Sequence, residues 1–179
     1  MPTSFALPCL PSLRWILAAL LATAAALAAN PAHSQATGPS WSKGNTLSLN
    51  ASDAKGQRID VAKLRQQVVV VFVWSTACAV CRDSLPELRA NAAGWQAKPF
   101  SLLAVNVDAR AEDWSRYETL VGQTLMPTKN WQSLRLDGAA PTGQRLPLTL
   151  LVDTRGTIIQ RFEGRLAPEV WDGVAELLP

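Results

Sequence analysis

The sequence predicts a domain of the α/β class, from three features of its patterning. Residues 68–74 (VVVVFVW) and 100–107 (FSLLAVNV) are apolar runs rich in β-branched and aromatic residues with no polar alternation, as strands buried on both faces are. Each run is followed by residues at helical spacing, which gives the strand–helix–strand rhythm of a parallel sheet. Two further strand-like runs flank the turn DTRG, and a helical pattern closes the chain. With 179 residues, 48% of them hydrophobic, the chain holds one globular domain's worth of core.

The first 34 residues read differently. Residues 15–29 (WILAALLATAAALAA) form an apolar run preceded by Arg14 and followed by Asn30 and Pro31. The run falls short of the roughly 20 residues that span a bilayer. With the small-residue site Ala32-His33-Ser34 it matches a secretory signal peptide over residues 1–34, cleaved before Gln35. Left uncleaved, it would be a signal anchor tethering the domain to the membrane. Cys9 precedes the apolar run, whereas a lipoprotein cysteine would follow it. Export places the domain in an oxidising compartment such as a bacterial periplasm, where disulfides persist.

The elements of the remaining chain follow in order. Residues 35–46, rich in Ser and Gly, read as a flexible lead-in to a domain over 47–179. Residues 47–49 and 58–60 flank a turn at Lys55-Gly56 and predict a β-hairpin, and 61–65 predict a short helical turn. After the strand at 68–74, Leu85, Leu88 and Ala92 lie on one face of a helix that Pro86 is expected to kink. The strand at 100–107 leads to an amphipathic helix over 112–121 that carries Trp114, Tyr117 and Leu120. Pro127, Gly138, Pro141 and Gly143 break up residues 122–144, which predict loops and one short strand. A hairpin over 148–162 and a helix over 168–178, with Pro168 in its first turn, complete the fold.

Composition narrows the chemistry. Seventeen Lys and Arg against fourteen Asp and Glu give +3, with no basic cluster, so no nucleic-acid footprint is present. Beyond the leader there are two cysteines, Cys78 and Cys81, and no histidine. Zinc would need two further ligands that this segment lacks, so no metal site is expected. A structural disulfide closing so small a loop adds little stability. The pair stands instead directly after a buried strand and at the start of a helix. There the unpaired N–H groups and the positive end of the helix dipole favour a thiolate, which marks Cys78 as nucleophile and Cys81 as the resolving partner.

The block WSTACAVCRDSLPEL, the leader, and the later LPLTLLVDTRGTI resemble the TlpA/ResA group of periplasmic thiol–disulfide oxidoreductases. The resemblance spans residues 45–179, with its strong signals at 68–90 and 145–164. It implies a thioredoxin-like fold, a central mixed sheet flanked by helices, with an N-terminal β-hairpin and a central insertion supplied by residues 109–134. It implies that Pro147 is a cis-proline facing the cysteines and exposing the backbone of Leu146 to an extended substrate. Trp74, Ala79 and Val80 complete the implied substrate-binding set. The implied function is reduction of specific periplasmic protein disulfides through Cys78–Cys81, with no cofactor beyond that disulfide. The implied partners are substrate proteins with disulfides or thiols and a membrane electron donor of the DsbD/CcdA type.

The chain also departs from that pattern. Ala77 stands where a tryptophan usually precedes the first cysteine, and Ser84 where an acid often follows the second. Phe72 occupies the position of the buried aspartate of thioredoxins, while Asp83 and Glu87 read as solvated helix-face charges. Two alternatives therefore stand beside the reductase. One is a peroxiredoxin-type peroxidase, for which Ser75 offers a hydroxyl three residues before Cys78 but Val71 replaces the expected proline. The other is a non-catalytic thioredoxin-like binding module.

Overall fold

The computed structural model describes residues 40–122, 128–141 and 143–179. The signal-peptide reading of residues 1–34 lies outside these described residues. Six strands form one mixed sheet in the order β1-β4-β3-β2-β5-β6. They are β1 Ala51–Ser52, β2 Val68–Trp74, β3 Phe100–Asn106, β4 Trp131–Leu136, β5 Leu148–Val152 and β6 Ile158–Glu163. Three helices connect and close them: α1 Ala79–Gly94, α2 Ala111–Gly122 and α3 Pro168–Glu176. β2, β3 and β4 run parallel, β5 is antiparallel to β2, and β6 and β1 pair antiparallel at the two edges. This is a thioredoxin-like arrangement, and α2 with β4 forms the expected central insertion.

The period-two alternation of side chains along the central strands divides the core into two layers. Val68, Val70, Phe72 and Trp74 point to the face covered by the helices, among them Leu85, Leu88, Trp114, Trp171 and Val174. Val69, Val71 and Val73 point to the other face, where they meet Trp41, Leu47, Leu49, Ala51 and Leu64. β2, β3 and β5 are buried at every position, which explains their unbroken apolar reading.

The helices flank the sheet as expected, and all three contribute to the same layer. The second face is closed by the chain segment entering the domain together with the 3₁₀ turn Val61–Leu64, which Asp60 caps by accepting from the Ala62 amide. Residues 40–46, read as part of a flexible lead-in, are consequently part of the fold. Trp41 is 3% exposed, and the Gly44 amide bonds the Ile158 carbonyl at 2.8 Å. The N-terminal hairpin is also shorter than expected. Its first arm is Ala51–Ser52, not 47–49, and a single bridge joins Ser52 to Arg58. Leu47 and Leu49 are spent on the core instead.

α1 runs from Ala79 to Gly94 with Pro86 inside it. In α2 the buried face is Trp114 with Tyr117 at its margin, while Leu120 is 65% exposed. The uncertain stretch 122–144 contains β4, whose Leu134 and Leu136 reach the core.

The register brings three chain segments to one edge of the sheet. Trp74 at the end of β2 lies opposite Asn106 at the end of β3, so residues 75–78 and Val107-Asp108 leave the sheet side by side. Leu148 at the start of antiparallel β5 lies opposite Val73, which delivers Leu146 and Pro147 to the same edge. The carboxyl ends of parallel strands are where open α/β sheets place their sites.

Candidate redox-active site

Cys78 is the N-cap of α1. Its extended backbone (φ −87°, ψ 105°) turns the chain into the helix, and its Sγ accepts a hydrogen bond from the Cys81 amide at 3.1 Å. That amide is one of the donors that a helix start leaves without an intrahelical partner. The Cys78 amide in turn donates to the Ser75 carbonyl at 3.1 Å. Cys78 and Cys81 form a disulfide with their Cα atoms 5.2 Å apart. Cys78 is half-buried, whereas Cys81 is 0% exposed and packs in the apolar layer beneath the helix.

A carboxylate holds the loop that presents Cys78. Asp108 Oδ1 accepts from Ser75 Oγ at 2.5 Å and from the Thr76 amide at 2.9 Å, and its Oδ2 accepts from Asn106 Nδ2 at 3.0 Å. Burial pushes the Asp108 carboxyl upward, but the bonds from Ser75, Thr76 and Asn106 outweigh it and hold the pKa below the ordinary 3.8. Arg135 donates to the Asp108 carbonyl at 3.1 Å, and Arg82 reaches back to the Thr76 carbonyl. In the sequence Asp108 stands out only as the residue that follows the apolar run 100–107. Its position beside the end of β2 was the signal, and it becomes visible only once the parallel register is known. The Ser75 hydroxyl, the group that a peroxidase reading depends on, is occupied by Asp108.

The other expected site residues are placed as follows. The Leu146–Pro147 peptide bond is cis. Pro147 is buried, and its carbonyl accepts from the Gly164 amide at 2.7 Å. Leu146 packs at the margin of both apolar layers and makes no backbone hydrogen bond among the described residues. Ala79 is exposed and Val80 is 47% exposed, so both face solvent between the cysteines. Trp74, at 1% exposure, lies inside the helix-side layer, edge-on to Tyr117 at 4.9 Å.

Phe72 is 1% exposed in the same layer as Cys81, so the interior there is aromatic and not acidic. Ser84 spends its hydroxyl on the Val80 carbonyl at 2.8 Å. Glu87 is not the solvated charge expected of it. It is half-buried and accepts from Trp171 Nε1 at 2.9 Å, beside a small cleft that Phe72, Ser84, Leu88 and Leu166 also line. Among the described residues no group of three His, Cys, Asp or Glu is placed to hold a metal, and no helix is long and apolar enough to cross a membrane.

A disulfide at the N-terminus of the helix after the central strand, with a cis-proline delivered to the same sheet edge, defines a thioredoxin-like protein with a CxxC pair. The chain belongs to the AhpC/TSA family, whose pattern matches residues 44–171. Among solved structures it is similar to the thioredoxin domain of a thiol-disulfide oxidoreductase from Bacteroides vulgatus, at 20% identity, covering 76% of this chain and 98% of that one with a TM-score of 0.60. It is also similar to a thiol:disulfide interchange protein from a Bacteroides species (20% identity, 75% and 89% covered, TM-score 0.59). A thio-disulfide isomerase from Thermus thermophilus gives 20% identity, 76% and 96% covered, and a TM-score of 0.57. At such identity these likenesses show the fold, in keeping with the TlpA/ResA resemblance. No curated protein matches the chain.

Proposed function

We propose that the protein is an exported thiol–disulfide oxidoreductase that reduces disulfides of specific periplasmic proteins. The observation carrying this reading is the asymmetry of the pair: Cys78 caps the helix at the surface, and Cys81 is fully buried one turn behind it. A substrate sulfur can reach only the first.

In the reduced protein the Cys78 thiolate attacks one sulfur of a substrate disulfide. The substrate S–S bond breaks, its second sulfur leaves as a thiolate and takes up a proton, and a mixed disulfide forms. Cys81 then loses its proton and attacks Cys78 Sγ. The mixed disulfide breaks, the second substrate thiolate is released and protonated, and Cys78–Cys81 is oxidised. Two electrons pass from the protein to the substrate; Cys81 gives up one of the two protons that the substrate takes up and solvent supplies the other, and no cofactor takes part. A dithiol donor of the DsbD/CcdA type in the membrane restores the reduced pair. The free backbone of Leu146 supports an extended substrate segment lying strand-fashion beside the cis-proline. The export leader supports a periplasmic location.

The test is exchange with a disulfide peptide. Cys78→Ser abolishes it, and Cys81→Ser accumulates a mixed disulfide that added reductant releases. Full exchange by Cys78→Ser contradicts the reading.

A further inference from the structure

Exposed arginines from three separate parts of the fold lie around the disulfide and the cis-proline. Arg82, the residue after Cys81, is exposed and donates to the Thr76 carbonyl, two residues before Cys78. Arg165, in the turn after β6, is exposed and donates to the Asp83 carbonyl at 3.2 Å, two residues after Cys81. Arg145, two residues before the cis-proline, is exposed where the chain approaches Leu146. Among the described residues neither Arg82 nor Arg165 makes an ion pair.

The acidic groups nearby already have partners. Asp108 is held by Ser75, Thr76 and Asn106 with Arg135 on its carbonyl, and Glu87 is held by Trp171. Glu163 is paired with Arg161 at 2.7 Å and also lies beside Arg145. Asp83 is an exposed carboxylate of this rim, and Arg165 bonds its backbone carbonyl. Anchoring on backbone carbonyls matters physically. Each of Arg82 and Arg165 spends one nitrogen on a neutral acceptor, which fixes the guanidinium in place and leaves charge and further N–H donors for an incoming carboxylate.

Between these cations the surface is neutral and small: Ala77, Ala79 and Val80 are all exposed. We infer that this rim selects, as substrate, a protein segment carrying Asp or Glu beside its disulfide, docked across Ala79-Val80 toward Leu146. This rests on the oxidoreductase reading and names the substrate class for the same site. The electron transfer is the exchange written above, protein dithiol plus substrate disulfide to protein disulfide plus substrate dithiol.

The test uses the purified protein, reduced with a small dithiol that is then removed. Its substrates are three disulfide peptides identical except that the residues flanking the disulfide are Glu, Gln or Lys. Electrostatic steering of this kind changes association rates by about 10-fold or more and fades with salt. The expected order is Glu over Gln over Lys, with a Glu-to-Lys rate ratio of about 10 at low salt that shrinks toward one at about 0.5 M salt. Arg165→Glu narrows the ratio and Arg165→Lys keeps it, which separates charge from shape. Equal rates for Glu and Lys peptides, or a ratio untouched by Arg165→Glu, overturn the proposal. Absence of exchange with all three peptides overturns the oxidoreductase reading, and the charge preference falls with it.

Discussion

The backbone amide of Cys81 donates to the Sγ of Cys78 at 3.1 Å, so the residue that resolves a mixed disulfide in the proposed reaction also holds the sulfur that forms it. The bond lies at the positive end of α1, where a thiolate is favoured over a thiol. Cys81 has the opposite surroundings, since burial among apolar side chains disfavours its charged form.

The two cysteines of the reduced protein should therefore react at different rates. Alkylation of the reduced protein should modify Cys78 first, because Cys81 is fully buried. Cys81 should stay protected until the protein unfolds. Modification of Cys81 first would contradict the assignment of nucleophile and resolving residue.

Asp108 joins the loop before Cys78 to the end of β3, and its removal should loosen both. Asp108→Ala leaves the Ser75 hydroxyl, the Thr76 amide and the Asn106 side chain without their acceptor, at a cost of about 2 kcal/mol. Because the folded pKa lies below the ordinary value, the charged carboxylate stabilises the native state above the usual carboxylate range. That contribution is lost as pH falls through the depressed folded pKa. Urea unfolding at neutral and acid pH should show this acid loss in the wild type and a smaller one in Asp108→Ala.

The Trp171–Glu87 bond ties α3 to α1 on the helix side of the sheet. Glu87→Gln keeps an oxygen acceptor for the indole and should change stability by less than about 0.5 kcal/mol. Trp171→Ala empties a buried aromatic site and should cost about 3–5 kcal/mol. Equal effects of the two substitutions in denaturant melts would show that the bond and the packing had been wrongly weighted.

Helix α2 gives a paired control. Leu120 is 65% exposed, so Leu120→Gln should lie within about 0.5 kcal/mol of wild type. Trp114, 4% exposed on the buried face, should lose about 3–5 kcal/mol on replacement by Ala. Thermal melts of the two variants distinguish them.

The parts of the fold visible in the sequence are those set by local pattern. Val68–Trp74 is apolar at every position because helices cover one face and Trp41, Leu47 and Leu49 the other. Cys78 and Cys81 declare a helix start because their spacing and the preceding strand are both local. What was hidden depends on contacts distant in sequence. Trp41 looked like part of a linker because its partners arrive later in the chain. Glu87 looked solvated because the indole that holds it lies 84 residues away. Asp108 gains its meaning only when β2 and β3 are laid in parallel register. Leu120 misled because helical spacing alone does not reveal how wide the covered face is.

The most direct test of the central claim is the equilibrium redox potential of the Cys78–Cys81 pair, titrated against a dithiol buffer. The account predicts a reversible two-electron transition near or below thioredoxin's value of about −270 mV, as befits a reductase supplied by a dedicated donor. A value approaching about −120 mV, at the oxidising end of the range for such pairs, would contradict it and make the site an oxidant of its substrates.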